Sequence, residues 1–536
     1  MNVLEELEWS FDTYKEKTAI KGSSNTLTYS QLDKLTARVA SHLMRQKIAN
    51  EDVVTIEAED KLEAVILMLG VVRAGAAYCV IPQDYPDYRK NKMRAKVNGK
   101  AILHSLKEIE KQESALQQNV VQDVLGVKRA SRQEDSLLYI IFTSGSTGEP
   151  KAVAIQDRSI EKIVRQNEFY QGNVIGQFAP LEFDASVYEI FGGLLNGMTL
   201  RMVSKDDSLD FDIIPEILAE IDTVFLTTRL FNLYVEECVE ELGKLQLILT
   251  GGERASIKHL HEAAQYCNVY NVYGPTETTV FATRYKVKGD ETEIPIGKMF
   301  DQGNYLILDE SGVPVSRGEQ GQLLLSDSGL MRGYIDNDQA NQKAFAYWEG
   351  QRYYRTGDVV CESANGELSY IERIDRQVKV SGYRIELGEI ERCAYNYGLN
   401  KECLAHFDGK RLYLFVTEMI ELEPFRQHLR NILPDYMIPT VKVVDKIPMN
   451  KNGKTDMQAM NQHKDQKSNS MNKVAEVITS VLQLELIMNK TFLELGGDSI
   501  KAMEVIWKLG GEGYPMDLDM LFTRTLGEIV NDVKAG

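Results

Sequence analysis

A loop rich in glycine and hydroxyl residues follows an apolar segment in the first third of the chain. Residues 139–142 read Tyr-Ile-Ile-Phe, Lys151 lies nine residues after that segment, and the loop between them contains Thr143, Ser144, Gly145, Ser146, Thr147 and Gly148. Hydroxyls and unhindered backbone N–H groups can wrap phosphate oxygens, and a lysine adds positive charge. The order differs from the GxxxxGK[ST] pattern of a P-loop, so composition alone supports a phosphate site and an ordinary turn equally.

Two later segments combine a carboxylate with aromatic residues. One reads Asn271-Val-Tyr-Gly-Pro-Thr-Glu277, and the other reads Tyr354-Arg-Thr-Gly-Asp358. Carboxylates suit magnesium and ribose hydroxyls, and an aromatic face suits a purine. Standing alone, each segment would be interpreted more simply, with Glu277 as a helix-capping residue and Asp358 as a turn residue.

These segments occur in the order shared by the adenylate-forming (ANL) superfamily. The matching motifs are residues 143–151 (TSGSTGEPK), 271–279 (NVYGPTETT), 354–358 (YRTGD) and 452–454 (NGK). The chain resembles this superfamily over residues 1–460. It is most similar to the amino-acid adenylation domains of nonribosomal peptide synthetases, because residues 183–191 (FDASVYEIF) resemble their substrate-pocket motif.

The resemblance implies an ATP and magnesium site. The loop at 143–151 would hold the triphosphate, Glu277 would approach Mg²⁺, Tyr273 would lie against the adenine, and Asp358 would bind the ribose hydroxyls. The full set of implied nucleotide-binding residues is Thr143, Ser144, Gly145, Ser146, Thr147, Gly148, Lys151, Gly252, Glu253, Asn271, Tyr273, Gly274, Thr276, Glu277, Asp358 and Arg373.

Lys454 is the main catalytic candidate, with Thr143 and Glu277 as the other two. Adenylate formation builds negative charge at the α-phosphorus, which a cation arriving on closure would stabilise. Outside the family context, Lys454 would be an exposed lysine in an Asn-Gly turn. Asp375 matches the hinge about which the family's small lobe rotates. The family usually has Gly before the motif's Arg373, and Glu372 stands there in this chain.

The segment Phe492-Leu-Glu-Leu-Gly-Gly-Asp-Ser-Ile500 is similar to the phosphopantetheine attachment motif of carrier proteins. Ser499 would begin a helix, whose positive end favours a phosphodiester. An ordinary N-cap serine is the simpler alternative. Residues 473–536 contain ten acidic and six basic side chains, an acidic balance common in carriers. The resemblance therefore implies 4′-phosphopantetheine on Ser499.

The resemblance also implies a substrate pocket headed by Asp184, whose carboxylate would pair with the α-amino group of an amino acid. The pocket would be lined by Asp184, Ala185, Tyr188, Arg229, Leu249, Gly251, Val272, Val280 and Phe281. Arg229 is the only cation in this set, so an acidic or amide side chain is favoured over an aliphatic one. The open alternative is that Arg229 faces solvent or a protein carboxylate.

Four segments must position these residues. We predict a large adenylation lobe over 1–374, a small lobe over 375–460, a linker over 461–471 and a carrier domain over 472–536. The linker prediction rests on residues 461–470 (NQHKDQKSNS), which contain no apolar side chain and cannot bury surface to offset chain entropy. The fold class is therefore α/β and α+β, followed by a four-helix-type carrier.

Alternating strand and helix patterns support a parallel sheet in the large lobe. We predict a strand at 53–56, a buried helix at 61–74 and a strand at 77–81, and further strands at 138–142, 223–226 and 245–249. Leu32, Leu35, Val39 and Leu43 recur at helical spacing, with Ser30 as the predicted cap. From about residue 303, short strands between glycine turns predict a β-rich subdomain.

Length and charge exclude several classes of protein. The 536 residues allow about three to four folding units, and the net charge of −18 argues against broad binding to nucleic acids or anionic membranes. The N-terminal residues do not resemble a secretory signal. The six cysteines form no CxxC pair, which indicates neither a zinc site nor a disulfide framework. A cytoplasmic protein is expected.

The combined expectation is an AMP-forming ligase of antibiotic or other secondary metabolism. It would adenylate an amino acid with ATP, release pyrophosphate and load the acyl group as a thioester onto its own carrier. Partners would be a phosphopantetheinyl transferase and a condensation or tailoring enzyme acting in trans, and a need for an MbtH-like helper is left open. The alternatives are an acyl- or aryl-CoA ligase and a catalytically silent scaffold of the same fold.

Overall fold

The computed structural model describes residues 2–117, 131–145, 149–300, 303–380, 382–409, 411–444, 446–447, 473–482, 487–510 and 516–532. These ranges form a large lobe, a small lobe and a helical carrier region, in that order along the chain. The predicted boundary at 460 and the predicted linker at 461–471 lie outside the described residues. The boundary at 374/375 stays a prediction.

Two sheets with mostly parallel strands form the centre of the large lobe. One runs Lys298–Met299, Thr283–Lys286, Asn268–Tyr273, Leu247–Gly251, Thr223–Thr227, Val174–Gln177, Thr199–Met202, Thr18–Lys21 and Thr26–Thr28. The other runs Gly333–Tyr334, Lys151–Gln156, Leu137–Thr143, Ala77–Val80, Val53–Ile56 and Ala101–Leu103. The carboxyl ends of parallel strands therefore deliver the loops that follow Leu247–Gly251 and Asn268–Tyr273 to one edge.

Helices cover these sheets. The longer ones are Val3–Thr13, Tyr29–Arg45, Lys61–Arg73, Asp87–Val97, Leu106–Gln117 and Thr228–Leu242, and the shorter ones are Glu161–Val164, Ala185–Val187, Gly193–Leu195, Ile214–Leu218, Ile257–Ala263 and Asp338–Ala344. The Lys61–Arg73 helix is buried on every side from Ala64 to Val72, since it packs in the main apolar core with residues of both sheets. This confirms the buried helix predicted from the apolar run.

A β-rich subdomain completes the large lobe. Its strands are Asn304–Leu308, Gln320–Ser326, Gln351–Glu362, Phe345–Trp348 and Leu368–Arg373. The small lobe begins with a hairpin of Gln377–Val380 and Tyr383–Glu386, continues with a sheet of Cys403–Phe407, Leu412–Val416 and Thr440–Val443, and includes the helices Leu387–Asn396 and Leu422–Arg430. The carrier region contains the helices Lys473–Leu482, Ser499–Gly510, Leu518–Thr523 and Leu526–Asp532, around a core of its own.

The structure confirms the predicted strands to within two residues at each end, but the predicted cap of the second helix is wrong. That helix begins at Tyr29, so Ser30 lies inside its first turn. Thr28 is the cap: its hydroxyl accepts from the backbone N–H of Gln31, and the Gln31 side chain accepts from the backbone N–H of Thr28. This reciprocal capping box satisfies two donors, where Ser30 alone would satisfy one.

Candidate active site

The phosphate-loop residues lie at the end of the strand Leu137–Thr143, where they contact the small lobe. The Ser144 hydroxyl donates to the carbonyl oxygen of Arg384 at 2.7 Å and accepts from the backbone N–H of Glu386 at 3.0 Å. The Gly145 N–H donates to the Glu389 carboxylate at 3.3 Å, and Lys151 Nζ lies 3.7 Å from Glu386. The Gly145 N–H and the Lys151 ammonium can accept anionic oxygens as partners, and in this arrangement the carboxylates of Glu389 and Glu386 take that role.

Glu277, the candidate magnesium ligand, is fully buried. Arg384 donates to one of its oxygens at 2.6 Å, and the Tyr334 hydroxyl donates to the other at 2.6 Å. Burial acts to raise the pKa of Glu277, but the Arg384 charge and the Tyr334 hydrogen bond outweigh it and hold the pKa below its usual value. A permanently ionised, buried carboxylate suits a cation, and here the guanidinium supplies that charge.

Tyr273 and Asp358, the candidate adenosine residues, come together from distant segments. The Tyr273 hydroxyl donates to Asp358 at 2.5 Å, and Arg373 donates to the other oxygen of Asp358 at 2.8 Å. Arg373 also makes two 2.7 Å hydrogen bonds to the hinge candidate Asp375. The aromatic ring and the carboxylate expected for adenine and ribose are thus adjacent.

The other nucleotide candidates lie around this pair. Gly252 has a φ of +104°, a backbone that favours glycine, and the Asn271 side chain donates to the Pro295 carbonyl at 2.8 Å. Thr276 acts to lower the pKa of Asp184, and Gly274 follows the strand that ends at Tyr273. Ser146, Thr147, Gly148 and the catalytic candidate Lys454 lie outside the described residues.

The hairpin at the start of the small lobe, here called the active-site hairpin (Gln377–Val380 and Tyr383–Glu386), is the feature that sequence reasoning missed. Its register pairs Lys379 with Arg384 and Gln377 with Glu386, so these polar side chains share one face. At its turn, the Gly382 N–H donates to Glu253 at 2.7 Å. The alternation of polar and apolar residues over 375–381 was the available signal.

Lys379 brings a second lysine into the site. Burial lowers its pKa, while Asp358 and Asp184 act in the opposite direction. Both carboxylates are therefore close enough to influence its charge. A basic side chain of the small lobe therefore lies within electrostatic reach of both the ribose candidate and the amino-group candidate.

The remaining pocket candidates form a buried, mostly apolar wall. Ala185, Tyr188, Leu249, Val272, Val280 and Phe281 are all buried, and Gly251 has no space for a side chain because a Cβ would lie 2.1 Å from the Val272 carbonyl oxygen. The Tyr188 hydroxyl donates to the Phe169 carbonyl at 2.9 Å. Burial raises the pKa of Asp184 to about 6, against the Thr276 hydrogen bond and the Lys379 charge.

Arg229, the predicted cation of this wall, lies beside a carboxylate of the carrier region. It lies in the first turn of the helix Thr228–Leu242, and its guanidinium is 3.3 Å from the carboxylate of Asp498 in the carrier region. The arrangement seen here therefore agrees with the open alternative that Arg229 pairs with a protein carboxylate, while the side-chain class of the substrate stays a prediction. A partly exposed salt bridge costs far less than an unpaired guanidinium in an apolar pocket.

Comparison with known proteins identifies the class to which this fold and site belong. Residues 7–335 match the AMP-binding enzyme family, and residues 472–533 match the phosphopantetheine attachment site family. The chain belongs to the AMP-binding enzyme family, and it joins an adenylation domain to a carrier domain.

Curated relatives include synthetases of peptide antibiotics. The chain is 33% identical over 535 residues to bacitracin synthase 1 of Bacillus licheniformis, covering 92% of this chain and 10% of that protein. It is 30% identical over 533 residues to tyrocidine synthase 3 of Brevibacillus parabrevis, covering 92% of this chain and 8% of that protein. The chain therefore spans a small part of the length of these relatives.

Solved structures show the same architecture. A nonribosomal peptide synthetase protein containing adenylation and carrier (PCP) domains, in holo form and bound to a vinylsulfonamide inhibitor, has a TM-score of 0.85 and 24% identity, covering 99% of this chain and 97% of that chain. The adenylation domain AlmE of Vibrio cholerae, in complex with glycyl-adenosine-5′-phosphate, has a TM-score of 0.75 and 22% identity, covering 86% and 97%. At these identities the likeness shows the fold.

Proposed function

We propose that this chain adenylates an α-amino acid with ATP, releases pyrophosphate and transfers the aminoacyl group to its own carrier domain. The observation that carries the proposal is the meeting of three parts at Glu253. Gly382 of the active-site hairpin donates to Glu253, and Arg229, Lys379 and the carrier residue Asp498 all influence its charge. The carrier helix that begins at Ser499 therefore starts beside the site.

The residues of the candidate nucleotide site have the chemistry to bind the substrate ATP together with Mg²⁺. Ser144, Gly145 and Lys151 offer a hydroxyl, an N–H and a cation, and Glu277 offers a buried ionised carboxylate. Bound MgATP would supply the electrophilic α-phosphorus and pyrophosphate as the leaving group. Because the small lobe holds these groups in the present arrangement, they must be released before a triphosphate binds, and we assign this arrangement to the transfer half-reaction.

We propose an α-amino acid with an apolar side chain as the substrate. Asp184 would pair with the α-amino group, and the wall behind it is formed by buried side chains such as Leu249, Val272 and Phe281. Tyr188 offers no free donor, because its hydroxyl is bound to the Phe169 carbonyl. An acidic side chain would lose its hydration in this pocket without gaining the cation that Arg229 was expected to provide.

The partners follow from the carrier. A phosphopantetheinyl transferase would modify Ser499, and the loaded amino acid would pass to a condensation or tailoring enzyme. When bound, the phosphopantetheine arm supplies the thiol that accepts the aminoacyl group. The pathway, and a role for an MbtH-like helper, stand as proposals about the whole protein.

The test combines ATP–pyrophosphate exchange with intact-protein mass spectrometry. The full chain should exchange with aliphatic amino acids, and the holo chain should gain one aminoacyl mass, whereas Ser499→Ala should exchange normally and gain neither phosphopantetheine nor amino acid. Preference for aspartate or glutamate would overturn the substrate class. Acylation of free coenzyme A in place of the carrier would favour the CoA-ligase alternative, and a complete lack of exchange would favour the scaffold.

A further inference from the structure

The contacts between the carrier and the two lobes suggest how the carrier is recognised. The carrier helix (Ser499–Gly510) lies beside the helix Thr228–Leu242 of the large lobe, here called the docking helix. At one end, Arg229 of the docking helix pairs with Asp498, the residue before Ser499, at 3.3 Å. Further along the docking helix, Glu236 and Glu237 influence the charge of Lys508, whose direct partner is Glu504 of the carrier helix at 2.9 Å. The docking helix therefore carries charges opposite to those of the carrier at two places.

An apolar contact is made by residues that lie between these two charged positions in the sequence of each helix. Met503 of the carrier helix packs against the core cluster that contains Phe231 and Tyr234 of the docking helix. The carrier helix also lies beside the short turn Asp207–Leu209. Apolar contact supplies much of the attraction between such surfaces, and the flanking charges set the register.

The small lobe makes a second, separate contact. Arg426 of the helix Leu422–Arg430 lies 2.5 Å from Glu494 of the carrier, and the side chains are only 9% and 16% exposed. Gly496, between the two acidic carrier residues, has a φ of +80°, and a Cβ there would lie 3.0 Å from Arg411 and 3.1 Å from Thr440. The loop before Ser499 thus lies directly on the small lobe.

We propose that Arg229 and Arg426, one on each lobe, form a two-part docking site that recognises the acidic residues Asp498 and Glu494 before Ser499. Because the arginines belong to different lobes, both can be engaged only while the small lobe holds the orientation seen here. The docking site therefore couples carrier binding to that orientation and selects an acidic loop in the partner. This inference rests on the proposed function, in which the carrier is loaded by its own adenylation domain.

Charge reversal tests the small-lobe half of the site. In the full-length holo chain, Arg426→Glu should slow single-turnover aminoacyl loading at least about tenfold, because it places like charges together, and ATP–pyrophosphate exchange should stay within about twofold of wild type. Glu494→Arg should have the same effect. The double variant Arg426→Glu/Glu494→Arg should recover most of the loading rate, which a general loss of folding would not do.

Arg376→Glu is the matched control. Arg376 is another small-lobe arginine and pairs with Glu391 within the small lobe, so its reversal should leave loading unchanged. For the large-lobe half, Arg229→Glu should lower the ratio of loading to exchange, and Asp498→Lys should partly restore it in protein whose phosphopantetheine content is checked by mass.

The outcomes separate this inference from the proposed function. If wild type neither exchanges nor loads, the proposed function fails. If wild type does both and Arg426→Glu loads normally, or if the swapped pair fails to recover while each variant still exchanges, the two-part docking site is wrong and the proposed function stands.

Discussion

At the scale of single residues, Asp184 shows how burial sets the conditions for substrate binding. Its carboxylate has a pKa of about 6, raised mainly by burial. An ammonium group on the substrate would bind the ionised form. Since the raised pKa keeps the group protonated at mildly acidic pH, the binding-competent form is lost as the pH falls through about 6.

We therefore expect the KM for the amino acid to fall about tenfold between pH 5 and pH 7, measured by ATP–pyrophosphate exchange at saturating ATP. Asp184→Asn should have a high KM with little of this pH dependence. Burial also raises the pKa of Glu182 and Glu189 to about 7, and both remain in the variant. An unchanged pH profile in Asp184→Asn would assign the titration to those groups instead.

A second prediction at this scale concerns Lys454. Its cation would stabilise charge that develops at phosphorus only during adenylation. Lys454→Ala should lower exchange by several orders of magnitude and leave transfer from a preformed aminoacyl-adenylate to the holo carrier largely intact. Lys446→Ala, at an exposed lysine eight positions earlier in the sequence, is the control. Equal losses in both half-reactions would indicate misfolding and not a catalytic role.

At the scale of secondary-structure elements, the active-site hairpin is the piece that links the lobes. Its turn reaches Glu253, and Arg384 on its second strand reaches Glu277. Both contacts use carboxylates of the large lobe, one bound by a backbone N–H and the other by a guanidinium. The same Glu277 is the candidate magnesium ligand, which means that the cation and the guanidinium would compete for it.

We expect Arg384→Ala to slow loading of the carrier at least about tenfold, since it removes a buried charge-assisted contact of the transfer arrangement. Exchange should persist, because that half-reaction uses Glu277 without the guanidinium. The two rates are measured by quenched-flow loading and by exchange on the same protein. Arg376→Ala, whose side chain pairs with Glu391 inside the small lobe, is the control, and loading as slow in that variant would contradict the prediction.

At the scale of the whole molecule, function depends on how the lobes and the carrier are arranged. The predicted hinge lies where Arg373 joins Asp358 of the large lobe to Asp375. Asp375 also accepts from the backbone N–H of Gln377, which starts the active-site hairpin. A change of backbone direction at this point would move the whole small lobe.

Restricting the backbone at Asp375 should therefore affect adenylation and carrier loading to different extents. Asp375→Pro restricts φ and removes the carboxylate, and we expect it chiefly to slow carrier loading, with exchange less affected. Asp375→Ala removes the carboxylate alone and is the control for the lost hydrogen bonds. If both variants load at the same rate, the effect belongs to the side chain and the hinge assignment is wrong.

The sequence by itself determined the family and the pattern of helices and strands, because both depend on residues that are close along the chain. The phosphate loop, the GGDS motif and the apolar run 64–72 each carry their information within about ten residues. The residue types in these segments could be interpreted without knowing which other segments they contact in the folded protein. The wrong cap at Ser30 shows the limit even there, since the choice between two neighbouring hydroxyls depends on the backbone.

Only the tertiary structure decided which charged groups meet. Ser144 and the Arg384 carbonyl are 240 positions apart, and Arg384 and Glu277 are 107 apart. The sequence left open whether Arg229 lines the substrate pocket or pairs with a protein carboxylate, and in the structure its guanidinium lies 3.3 Å from Asp498 of the carrier. The partner of such a side chain depends on how the lobes are placed relative to one another. Pairing between distant segments produces no periodic pattern in the sequence. The arrangement of the lobes could therefore be seen only in the three-dimensional structure.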